Sequence, residues 1–152
     1  MPLHSALTGT DLHEPKGVAA AAASKVYLSD GLGSGSWVVP PYTLTTRLDD
    51  VSTASTVYIP IPFAGTVTKV VTVLEGSLTT GNATVTVKNA AGVSMGTLTI
   101  TQSGSAAGDI DTLSPVSNNT VTNDSRISLE TDGASDTTRT LFVTVYFKVP
   151  KN

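Results

Sequence analysis

Cysteine is absent from the 152 residues, which excludes both a disulfide framework and a thiolate zinc site. Ionised side chains are scarce: Asp, Glu, Lys and Arg make up 14% of the chain, against about 25% in an average soluble protein. The formal net charge is −3, so there is no basic footprint for nucleic acid. Aromatic residues are only 5%, too few for a row of base-stacking platforms. No apolar run approaches membrane-spanning length, and the N-terminus lacks the basic-then-apolar order of a secretory leader. Neither nucleic acid nor a membrane is therefore an expected partner.

Thr, Ser, Gly and Val take the place of the missing charge, and they are arranged with a period of two. From Thr56 onward, Val57, Ile59, Ile61 and Phe63 alternate with Thr56, Tyr58, Pro60 and Pro62. Such alternation is the mark of a half-buried strand, and two prolines that cannot donate to a ladder assign it to a sheet edge. Thr66 to Leu74 continues the pattern, with a bulge expected at the adjacent Val70-Val71. Ala83, Val85 and Val87 form the next inward set, then Leu98 and Ile100. Ile110 and Leu113 suggest a short strand, followed by one around Ile127 and Leu129. The last run is the clearest: Leu141, Val143, Val145, Phe147 and Val149 alternate with Thr140, Phe142, Thr144, Tyr146 and Lys148. About eight strands, small polar loops and no helical segment predict an antiparallel β-sandwich of jelly-roll type over residues 51–152.

Residues 1–50 read as an extended N-terminal arm with a short hairpin: a strand at Lys25–Ser29, a turn at Asp30-Gly31, and Trp37-Val38-Val39 resuming. The first seventeen residues have neither helical nor strand periodicity, yet they hold both histidines and Leu3, Leu7 and Leu12. Such a segment is either an ordinary mobile terminus or one that gains order on another surface.

Catalytic chemistry is hard to assemble. A nucleophile needs a base beside it, and the only imidazoles are His4 and His13. His13-Glu14 does not extend to HExxH, because Pro15-Lys16-Gly17-Val18 supplies no second histidine. Gly31, Gly33 and Gly35 lack the third glycine of a phosphate loop, since Ser36 stands there. Asp49-Asp50 lacks the alternate oxygen ligands of a calcium loop. Glu75 and Glu130 could face one another as glycosidase carboxylates do, but they read better as solvated strand ends. No enzyme activity, cofactor or metal is expected.

The string Leu7-Thr-Gly-Thr-Asp-Leu-His-Glu-Pro-Lys-Gly17, the alanine run after it and Lys25-Val-Tyr-Leu-Ser-Asp-Gly-Leu-Gly-Ser-Gly-Ser-Trp37 resemble the start of virion surface proteins of tailed bacteriophages. These are head-fibre and capsid decoration (cement) proteins. The resemblance covers the first quarter of the chain closely, and it implies a place on the outer capsid surface. It implies attachment to the major capsid protein through the arm, with Leu3, His4, Leu7, Leu12, His13, Glu14, Pro15 and Lys16 as the attachment residues. Leu3, Leu7 and Leu12 would be apolar anchors; His13, Glu14 and Lys16 would make directional polar contacts, and Pro15 would limit the entropy lost on docking. Together with the low charge and the apolar residues left on outward faces, it also implies a homotrimer, with Tyr58, Phe142 and Tyr146 at the subunit interface. The alternative is a tail- or head-fibre adhesin whose β-domain binds a host-surface glycan or receptor.

Overall fold

The computed structural model describes residues 25–32, 35–38, 40 and 42–149. It is all-β, with no helix among those residues. The chain divides into two compact units, Met1–Pro40 with Lys151–Asn152, and Pro41–Pro150.

In the first unit, β1 (Val26–Ser29) and β2 (Gly35–Val38) form an antiparallel hairpin. Tyr27 lies opposite Trp37, their rings edge to face with centroids 5.3 Å apart. Gly31 takes the positive φ of 75° that the turn requires.

The second unit has nine strands: β3 (Tyr42–Leu48), β4 (Ser55–Ile61), β5 (Gly65–Leu74), β6 (Ala83–Lys88), β7 (Ser94–Ile100), β8 (Ile110–Leu113), β9 (Thr120–Val121), β10 (Ser125–Thr131) and β11 (Leu141–Lys148). They form two antiparallel sheets, β4-β10-β6-β7 and β3-β11-β5-β8, with β9 also paired to β5. Along the chain, β3, β4, β5 and β6 fall in alternate sheets, and so do β9, β10 and β11. Hydrophobic alternation explains why the sheets face one another. Ile59, Ile61, Val85, Val87, Leu98, Ile127 and Leu129 from one sheet bury against Leu48, Val67, Val70, Leu74, Leu141, Val143 and Val145 from the other. The result is one β-sandwich-like core. Burying such side chains contributes about 1.5–3 kcal/mol each.

Three features differ from the sequence expectation. The compact unit begins at Pro41 rather than at residue 51, because β3 pairs with β11 along its whole length, from Leu48↔Leu141 to Tyr42↔Phe147. Tyr42 belongs to the domain: its ring lies 5.5 Å from Phe63, which in turn lies 5.2 Å from Phe147. The bulge in β5 is not at Val70-Val71. The register shifts where Tyr146 pairs with Lys69 and Phe147 with Val67, so Thr68 is the extra residue. Its hydroxyl donates to the Tyr146 carbonyl. Val70 then faces the core and Val71 faces away, as plain alternation requires.

Loops are pinned by side chains that replace missing ladder bonds. Asn119 donates to the carbonyls of Val67 and Pro115, while the Val67 amide donates to the Asn119 carbonyl. This holds β9 beside the start of β5. The Asp132 carboxylate accepts from the Thr84 amide and hydroxyl and from the Ala134 amide, tying the β10–β11 loop to β6.

Candidate interaction surface

The outward sides of the two sheets differ in chemistry. On the sheet of β4, β10, β6 and β7, the residues facing away from the core are mostly Thr and Ser, around an ion pair between Lys88 and Glu130. Thr86 and Thr97 share a hydrogen bond across β6 and β7. Tyr58, 60% exposed, is covered on one side by the Arg126 guanidinium, 5.3 Å from its ring centre. This face is hydroxylated, its Lys88 and Glu130 charges are paired with each other, and its Arg126 charge lies against the Tyr58 ring.

The other sheet presents an apolar row. Ile110 on β8 pairs with Val73 on β5, Val73 with Phe142 on β11, and Phe142 with Arg47 on β3. Ile110 is 65% exposed and Phe142 45%. The adjacent row reads Thr112, Val71, Thr144 and Thr45, with the Thr45 and Thr144 hydroxyls 3.3 Å apart. Charge is confined to the rim. Arg47 is paired with Asp49, Lys69 lies 5.9 Å from the Tyr146 ring centre, and Lys148 is exposed at the end of β11. The apolar row thus lies at one end of the sheet face, with a threonine-rich row in the middle and the two lysines toward the other end.

A second apolar feature opens where the sandwich ends at its edge strands β3 and β4. Leu44, Pro60, Ile61, Pro62, Asp124 and Ser125 line a groove of about 470 Å³. Pro60 and Pro62 stiffen one wall and withhold backbone donors there. Asp124 sits at the rim with a positive φ of 56°.

Comparison with known proteins adds no name to these surfaces. No protein-family model matches the chain, and no curated protein matches it.

Of the expected interface residues, Phe142 and Tyr146 share the apolar face, whereas Tyr58 projects from the opposite sheet. The three do not form one patch. Ile110 and Val73 belong to the patch, although the sequence pattern alone does not assign them to it. That pattern groups Ile110 with Leu113, but a spacing of three on a strand puts two side chains on opposite sides. The attachment residues Leu3, His4, Leu7, Leu12, His13, Glu14, Pro15 and Lys16 lie outside the described residues.

The titratable groups are dispersed. Glu75 follows β5 of one sheet and Glu130 lies on β10 of the other. The Asp50 carboxyl is held below its ordinary pKa by hydrogen bonds from the Ser52 hydroxyl and amide and the Thr53 hydroxyl. Asp111 is pushed above its ordinary value, chiefly by burial and further by the nearby Asp109 charge. Asp109 and Asp111 border a shallow hollow with Ser103, Gly104 and Ser105. Among the described residues, no group of three His, Cys, Asp or Glu side chains is placed to hold a metal.

Proposed function

We propose that this chain is a structural virion protein that decorates and stabilises a phage capsid, held to the major capsid protein by its N-terminal arm. The observation that carries the reading is the string Leu7–Gly17 and its continuation to Trp37, which resembles the start of decoration and head-fibre proteins. The division of the chain into Met1–Pro40 with Lys151–Asn152 and Pro41–Pro150 supports it, because the string falls in a different unit from the β-sandwich-like core. In this reading the domain is a jelly roll, a type supported by the two sheet orders β3-β11-β5-β8 and β4-β10-β6-β7. The low charge and the apolar sheet face suit a protein that self-associates, and the resemblance implies a homotrimer. The function is cohesive rather than catalytic.

A fibre or adhesin reading draws on one observation, the exposed Tyr58 ring backed by Arg126, since glycans stack on exposed aromatic faces. Immunogold labelling of intact particles separates the two. Label over the head surface supports decoration, label on the tail supports the adhesin, and unlabelled particles contradict both. Binding to a glycan array would favour the adhesin reading.

A further inference from the structure

We propose that the groove between β3 and β4 binds a small organic cation, an amine carried on an apolar body. This activity goes beyond capsid attachment and does not depend on it.

The apolar half of the site comes from both sheets. Leu44 on β3 packs against the core yet stays partly exposed, and Ile61 at the end of β4 belongs to the core itself. The rings of Pro60 and Pro62, both exposed, add a stiff wall. A volume of about 470 Å³ falls within the range of small-molecule sites, which are mostly apolar with a few placed polar groups.

The polar side chains lining the groove, Asp124 and Ser125, both offer acceptors. The Ser125 hydroxyl gives its proton to the Thr122 carbonyl, so its lone pairs are what remain. Asp124 Oδ2 accepts from the Asn123 side-chain amide, and among the described residues no cation pairs with this carboxylate. Arg126 is engaged elsewhere, over the Tyr58 ring. Pro60 and Pro62 have no N–H to give. An anionic head would meet acceptors and a like charge, whereas a protonated amine supplies both the donors and the opposite charge. The same prolines favour a small ligand over a partner's strand. An extended peptide adds to a sheet edge through main-chain hydrogen bonds, and it would find no donor at residues 60 and 62.

The test is amide NMR of the full chain titrated with phenethylamine, and separately with phenethyl alcohol and phenylacetate. The three probes share an apolar body and differ in the head. The amine is expected to shift the amides of Leu44, Ile61 and Ser125 saturably, with a Kd at least about tenfold below that of the alcohol. Phenylacetate should leave them unmoved. Asp124→Asn keeps the side chain's shape, and Asn tolerates the positive φ of this position. It should erase the amine's advantage over the alcohol, while Pro62→Ser should weaken both by removing apolar wall. Shifts that do not saturate by about 10 mM amine, equal binding of the three probes, or an amine preference that survives Asp124→Asn overturns the proposal. So does a Pro62→Ser variant that binds both probes as the wild type does. Groove amides that move on diluting the protein alone would put a second copy there, and amides that respond to capsids but not to the amine would put coat protein there; either result also overturns it.

Discussion

Phe142 on β11 stands directly across from Val73 on β5, on the side of the sheet turned away from the core. Its chain neighbour Leu141 is fully buried. One step along the strand therefore separates a core residue from a surface residue. Leu141→Ala should cost about 2–5 kcal/mol, as removal of a packed leucine does. Phe142→Ser should cost under about 1 kcal/mol, the worth of a cross-strand pair. Urea unfolding of both variants checks the assignment, and equal losses would mean that the alternation has been read in the wrong phase.

That alternation makes most of the sandwich legible in the sequence. Strands β4, β5, β6, β10 and β11 follow from a period of two, and Pro60 marks β4 as an edge. β3 does not show itself in this way. Its inward positions are Tyr42, Leu44, Thr46 and Leu48, and the polar Thr46 interrupts the apolar set. Its partner is also remote, since Thr45 and Thr144 are 99 residues apart, so nothing local marks the pairing. The groove is equally hidden, because it exists only where two sheet edges from distant segments come together. The first seventeen residues are legible through composition and resemblance alone, and they lie outside the described residues.

Asp111 is a charge in an unfavourable place. Burial, then the Asp109 carboxylate, raises its pKa above the ordinary 3.8. The folded state thus holds the proton more tightly than the unfolded chain does. Ionised Asp111 weakens the fold at neutral pH, and the penalty disappears as pH falls below 3.8. Asp111→Asn should raise the melting temperature at pH 7, with the gain shrinking to nothing near pH 3. A variant that melts lower at pH 7 would show that the carboxylate makes a stabilising contact.

Asp132 has the opposite sign. Desolvation pulls its pKa up, but hydrogen bonds from the Thr84 hydroxyl and amide and the Ala134 amide outweigh it, leaving the value below 3.8. Its contribution is fully present above 3.8 and is lost as pH falls through the lowered folded value. Asp132→Ala should destabilise by about 1 kcal/mol at pH 7 and by much less near pH 2. Melting curves at the two pH values decide it, and a loss independent of pH would point to loop packing instead.

Gly133, next in the same loop, has a φ of 69°, and a Cβ there would stand 2.5 Å from the Ala54 amide nitrogen. Gly133→Ala meets both backbone strain and a clash with main chain that cannot swing aside. A loss of at least about 2 kcal/mol is expected. An Ala variant as stable as the wild type in urea would mean that the loop relaxes freely.

The central claim is that the N-terminal arm is what holds the protein to the capsid. Its most direct measurement is co-sedimentation of the full chain with capsids that lack it, beside a variant carrying Leu3→Ser, Leu7→Ser and Leu12→Ser. Burying a leucine contributes about 1.5–3 kcal/mol, so losing three anchors should weaken binding on the order of a hundredfold or more. The domain's melting temperature should not move, because residues before Pro41 lie outside the compact unit. Saturable binding of the wild type with loss in the variant is the expected result. Equal binding by the two proteins, or none by the wild type, would contradict the account.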